Sequence, residues 1–152
     1  MGRQTFADEA GTTTSESTTV WCGGCGAWFS ASFYRSIDAE GSPELLDALI
    51  KEGYSTINRA ICGSCGWFHV IEEAISVHFP SQKKMFLVIP ERLRHRAQKV
   101  RTEFRESLSR VPGSVIPEYI MEPILVGGRA ELERMLSEQS VVYTLHGVTD
   151  EP

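Results

Sequence analysis

Four cysteines make up the entire cysteine content of this 152-residue chain, and they fall as Cys22-Gly-Gly-Cys25-Gly and Cys62-Gly-Ser-Cys65-Gly. Each C-x-x-C presents two thiolates from one tight turn. Two such turns complete a tetrahedron around one ion, and zinc accepts a four-thiolate set without a geometric demand of its own. Iron in the same tetrahedral sulfur set is the alternative metal. Gly26 and Gly66 follow the second cysteine of each pair, where a turn folding back over a metal calls for positive φ. Trp21, Trp28, Trp67 and Phe68 flank the pairs and would limit water access. With all four positions filled by protein, such a site is structural and has no place for substrate. Two further readings remain for the cysteines: a redox dithiol, or buried inert thiols.

Other residues offer less. His69 lies near Cys65 and is a candidate supporting ligand, although an ordinary strand histidine is the plainer reading; His78, His95 and His146 are scattered. Glu72 and Glu73 are strand or turn neighbours whose side chains diverge. Gly127-Gly128-Arg129 before a helix reads as a turn rather than an anion cradle. The stretch 83–110 carries nine Lys or Arg against three Asp or Glu, a local +6 in a chain of net charge −5. Arg92, Arg94, Arg96, Lys99, Arg101 and Arg105 could meet phosphates, but a solvated helix face paired to acids is the favoured reading.

Elements must position the two turns. Strands are expected on either side of the first pair within 20–38, with Trp28, Ser30, Ser32 and Tyr34 on one face and Phe29, Ala31 and Phe33 on the other. Ser42-Pro43-Glu44 opens a helix and Gly53 closes it. A short strand at 56–61 leads into the second pair. Strands follow at 67–71, 74–79 and 84–89, the last two joined by a turn at 80–83. The apolar stripe Leu93, Ala97, Val100, Phe104, Leu108 and Val111 predicts a helix over 91–110. An extended connector or edge strand at 115–126, a helix at 129–139 and a last strand at 141–145 complete the pattern. Residues 1–18 and 148–152 read as tails.

In order and type these residues resemble the CpXC domain, a bacterial and archaeal family named for two C-P-x-C motifs. The likeness runs from about Thr19 to Arg92 and includes the cysteine turns, the aromatic strand 27–34, Ser42-Pro43-Glu44-Leu45 and Ile57-Asn58. Gly23 and Gly63 stand where the family name has proline; no ligand is lost by that. The resemblance implies zinc binding by Cys22, Cys25, Cys62 and Cys65, and no reaction.

The expectation is therefore an α+β fold: an antiparallel sheet bearing a zinc-ribbon-like pair of knuckles and flanked by helices. Residues 19–111 would form the zinc-binding domain with its basic helix, and 112–147 a β-α-β extension packed on it. Composition is that of a globular protein, 41% apolar and 23% charged. No secretory h-region or apolar run of membrane-spanning length is present, so a cytoplasmic setting with reduced thiols is expected. The function expected is a zinc-stabilised domain that binds another macromolecule, most readily a protein, rather than an enzyme. A nucleic-acid accessory protein using the basic helix and a C-x-x-C thiol–disulfide oxidoreductase are the alternatives.

Overall fold

The computed structural model describes residues 13–110 and 115–143. Seven strands and five helices follow one another: β1 (Thr14–Trp21), β2 (Trp28–Asp38), α1 (Pro43–Glu52), the single turn α2 (Tyr54–Ile57), β3 (Arg59–Ile61), β4 (Phe68–Val70), β5 (Ile75–Phe79), β6 (Lys84–Ile89), α3 (Ala97–Ser109), α4 (Glu118–Met121), β7 (Ile124–Gly127) and α5 (Arg129–Glu138). Five strands form one sheet in the order β1-β2-β5-β6-β7; β3 and β4 form a separate pair.

The main sheet is mixed, which corrects the expected antiparallel one. β1 with β2 and β5 with β6 are antiparallel, but β2 with β5 and β6 with β7 are parallel. Parallel neighbours require crossovers. The first carries α1 and the β3–β4 hairpin, and the second carries α3 and α4. The sheet therefore has helices over both faces. Ile75, Val77, Phe79, Phe86 and Val88 meet Leu46, Leu49, Leu132 and Leu136 from α1 and α5. On the opposite face Met85 and Leu87 meet Phe104, Leu108 and Ile120 from α3 and α4. Burial on both sides explains why β6 reads as a nearly unbroken apolar run; β5 is buried throughout as well but carries Ser76 and His78 on its second face.

Several local expectations are met and several are corrected. Pro43 starts α1 and Gly53 ends it at φ 73°, its N–H donating to the Leu49 carbonyl at 2.9 Å. Ser42 makes no side-chain cap; its hydroxyl instead accepts from Thr13 Oγ1 at 3.0 Å. Residues 14–18, expected as tail, belong to β1. Their buried face holds Thr14 and Glu16 rather than apolar side chains, and Glu16 is ion-paired with Arg35 at 3.2 Å. Of the strand expected at 56–61, residues 56 and 57 belong instead to α2, and β3 begins at Arg59. The segment 91–110 opens with 3-10 turns over Glu91–Arg96 before α3. Val141, Val142 and Tyr143 form no strand; Gln82 takes both backbone groups of Val142 at 2.8 Å. The remainder of the expected last strand, and the tails at 1–12 and 148–152, lie outside the described residues.

Tyr54 packs against the α1–α5 core and donates from its hydroxyl to the Val88 carbonyl at 3.1 Å. Burial, then the charges of Glu72 and Glu73, push its phenol well above the usual tyrosine range. The folded chain keeps this proton where an unfolded one releases it. Stability is therefore expected to fall as pH rises past about 10. Phenolate absorbance and circular dichroism recorded together should show ionisation of Tyr54 only with unfolding, and Tyr54→Phe should remove that component.

Candidate metal centre

The two cysteine pairs occupy matching turns. The first joins β1 to β2 and the second joins β3 to β4. In each turn the leading cysteine donates its N–H to the residue before the outgoing strand: Cys22 to Ala27 O at 2.8 Å and Cys62 to Trp67 O at 2.9 Å. In each, the following glycine donates back to that cysteine's carbonyl, Gly26 to Cys22 at 2.8 Å and Gly66 to Cys62 at 2.9 Å. Gly26 and Gly66 have φ of 79° and 78°. The positive φ anticipated from their position is present in both, and a side chain there would be strained.

The turns meet tip to tip. Cys22 Sγ lies 3.6 Å from Cys65 Sγ, and Cys25 Sγ lies 3.8 Å from Cys62 Sγ. All four sulfurs fall within 4.8 Å of one another. A tetrahedron with metal–sulfur bonds of about 2.3 Å has edges of about 3.8 Å, so the set fits one four-coordinate ion. These separations are far beyond the roughly 2.05 Å of a disulfide. Cys22 and Cys62 are buried, whereas Cys25 and Cys65 are exposed.

The backbone supplies donors to the sulfurs. Gly24 N–H points at Cys22 Sγ, 3.3 Å away. Backbone N–H groups of Cys65 and Ser64 lower the Cys62 thiol to about 7. At Cys65 the N–H of Trp67 also lowers the thiol, but desolvation and the three neighbouring sulfurs outweigh it and push it up to about 12. At Cys25 the N–H of Ala27 and the Cys65 sulfur lower the thiol, but desolvation and the Cys62 and Cys22 sulfurs outweigh them and raise it. Four thiolates repel one another at this spacing. A bound dication supplies the positive charge that lets all four ionise together.

Neighbouring side chains lock the tips together. Trp67 lies across the first turn: a Cβ at Gly24 would come within 2.6 Å of Trp67 Cε3, so only glycine fits there without displacing the ring. Asn58, fully buried, ties the β3–β4 hairpin to β2. Its Oδ1 accepts from Tyr34 N at 2.7 Å, its Nδ2 donates to Tyr34 O at 3.3 Å, and its carbonyl accepts from Ile71 N at 2.8 Å. The sequence marked Asn58 only through the resemblance; its bracing role depends on contacts no local pattern reveals. His69 sits in β4 with its ring 5.5 Å from that of Phe29 and does not join the converging ligand atoms.

The chain belongs to the CpXC protein family. The family model matches residues 20–135, which carries the relationship past Arg92 and through most of α5. Comparisons with curated proteins and with solved structures find no match. The matched span contains all four cysteines that the geometry brings together.

The other candidates disperse. Arg92 pairs with Glu72, Arg94 with Glu131 at 3.5 Å, and Arg101 and Arg105 both with Glu122. Much of the positive charge of 91–110 is thus met by acids of the same chain. Arg96 and Lys99 line a cavity of about 560 Å³ whose wall carries both signs of charge, including Glu16, Arg35, Glu73 and Glu103. Glu72 and Glu73 take different partners, Arg92 and Arg35, rather than sharing a site. At the start of α5 Glu131 accepts the Gly127 N–H at 2.6 Å, so this turn is served by its own carboxylate. No helix among the described residues is long and apolar enough to cross a membrane.

Proposed function

We propose that Cys22, Cys25, Cys62 and Cys65 hold one structural zinc ion, and that the CpXC chain is a cytoplasmic protein-binding module rather than an enzyme. The observation that carries this reading is the aromatic rim around a closed four-sulfur centre. Trp28 is 68% exposed, and Trp21 and Trp67 are each 54% exposed; Ile61 and Phe68 extend the same surface. Residues 17–34 and 60–71 contain no Asp, Glu, Lys or Arg. Arg59, over the Phe68 ring at 5.3 Å, is the charge beside it. Large exposed apolar side chains on a surface with few charges mark interaction sites, and tryptophan is favoured among interface anchors. The zinc-ribbon-like role of the ion is to hold two hairpin tips so that this rim keeps its shape.

Elemental analysis with a thiol count tests the metal part. About one zinc per chain, with thiols masked until a chelator is added, is the expected result. Metal-free protein with a disulfide in each pair would put thiol–disulfide exchange in its place. The rim is tested with a photoreactive residue placed at Trp28 or, as a control, at Ser137. A discrete protein adduct is expected from position 28 only. Crosslinks to RNA or DNA instead, or equal labelling from both positions, would reject a protein-binding rim.

A further inference from the structure

The two edges of the main sheet are finished differently. At the β7 edge, Gly128 N–H donates inward to Ile89 O at 2.9 Å, so the groups of Gly127 point outward. Both are covered: its N–H donates to Glu131 Oε1 at 2.6 Å, and its carbonyl accepts from Arg94 Nη2 at 3.4 Å. This edge strand is also only four residues long. Shortness and side-chain cover are two of the means by which sheet edges are kept from pairing.

The β1 edge has neither. β1 is eight residues long and, among the described residues, pairs only with β2. Direction of its backbone groups follows from one hydrogen bond. Cys22 N–H donates to Ala27 O across the hairpin, and backbone groups alternate in direction along a strand. The even residues Thr18 and Val20 therefore serve the ladder to β2. The odd residues Ser17, Thr19 and Trp21 direct N–H and C=O to the open edge. Their side chains are exposed and uncharged. The one charge in β1, Glu16, is buried on the other face against Arg35. No proline or lysine guards the strand.

We propose that β1 pairs antiparallel with β1 of a second copy of this chain, joining two sheets across a two-fold axis. The occupant follows from self-complementarity. In an antiparallel pair related by a two-fold axis normal to the sheet, odd residues meet odd residues, as Ser17 with the partner's Thr19. The outward groups on both copies then satisfy each other while exposed and covered faces stay in register. The same operation closes both open edges and leaves no new one. Net charge favours this site as well. The chain carries −5, and residues 17–34 bring no like charges together at this edge.

Sedimentation of the metal-loaded full chain across a concentration series, up to about 100 µM, tests the proposal. A reversible monomer–dimer equilibrium is expected. Thr19→Pro deletes an outward N–H from each copy and leaves the β1–β2 ladder intact. It should weaken the dimer roughly tenfold or more, because two hydrogen bonds are lost per dimer. Thr19→Lys should do the same by adding like charge, with metal content and melting temperature unchanged in at least one variant. A chain that stays monomeric across the series overturns the proposal. So does a dimer that survives both substitutions, since its interface must then lie elsewhere.

Discussion

Cys62→Ser is expected to abolish metal binding and to unfold the two hairpin tips while the five-stranded sheet stays folded. Cys62 is a buried member of the sulfur set and the one whose backbone surroundings most favour ionisation. Serine keeps the volume but offers no thiolate. Structural zinc binding runs to about 10–16 kcal/mol in zinc-finger peptides, and losing one of four ligands forfeits much of that. The damage should be local, because neither core cluster contains a residue of the cysteine turns. Hydrogen exchange should accelerate across 20–34 and 58–71 and remain slow in β5 and β6. Zinc content should fall from about one per chain to near zero. Retention of full metal content and unchanged exchange would reject the site assignment.

Phe86→Ala is expected to show the reverse pattern. Phe86 is fully buried in β6, between β5 and β7, and packs edge-to-face on Phe79 with ring centroids 5.9 Å apart. Truncating a phenylalanine in such a core costs about 3–5 kcal/mol. Domain stabilities are commonly about 5–15 kcal/mol, so most of the margin would go. Denaturant unfolding should shift to a lower midpoint, and exchange should accelerate throughout the sheet. Metal stoichiometry at low temperature should be kept, because Phe86 touches neither turn. A shift below about 1 kcal/mol would mean that the α1–α5 side of the sheet is not where stability resides.

The cluster of four cysteines was more legible in the sequence than the sheet that carries it. The pairing of the cysteines within each turn, the positive φ of Gly26 and Gly66, the ends of α1 and the β5–β6 turn all depend on residues close in sequence, so local patterns expose them. β1 did not announce itself below residue 19. Its inward positions below Val20 are Thr14, Glu16 and Thr18, the first two paired with Ser36 and Arg35 on β2, so the alternation of apolar and polar residues is missing. The parallel pairings were hidden because each spans a long crossover. Trp67 over Gly24 and the three bonds that Asn58 makes to Tyr34 and Ile71 are likewise contacts between distant segments.

The length of β2 has a mechanical consequence. Its eleven residues run from Trp28 beside the four-cysteine cluster to Asp38 beside β5, about 35 Å at the usual rise per residue. One strand is thus anchored in the core at Ser36–Asp38 and carries the cysteine turn at its free end. It behaves as a cantilever, with Asn58 as the brace part-way along. A load applied at Trp28 is resisted by the β1 ladder and by that brace, and its torque is delivered to β5, far from the point of contact.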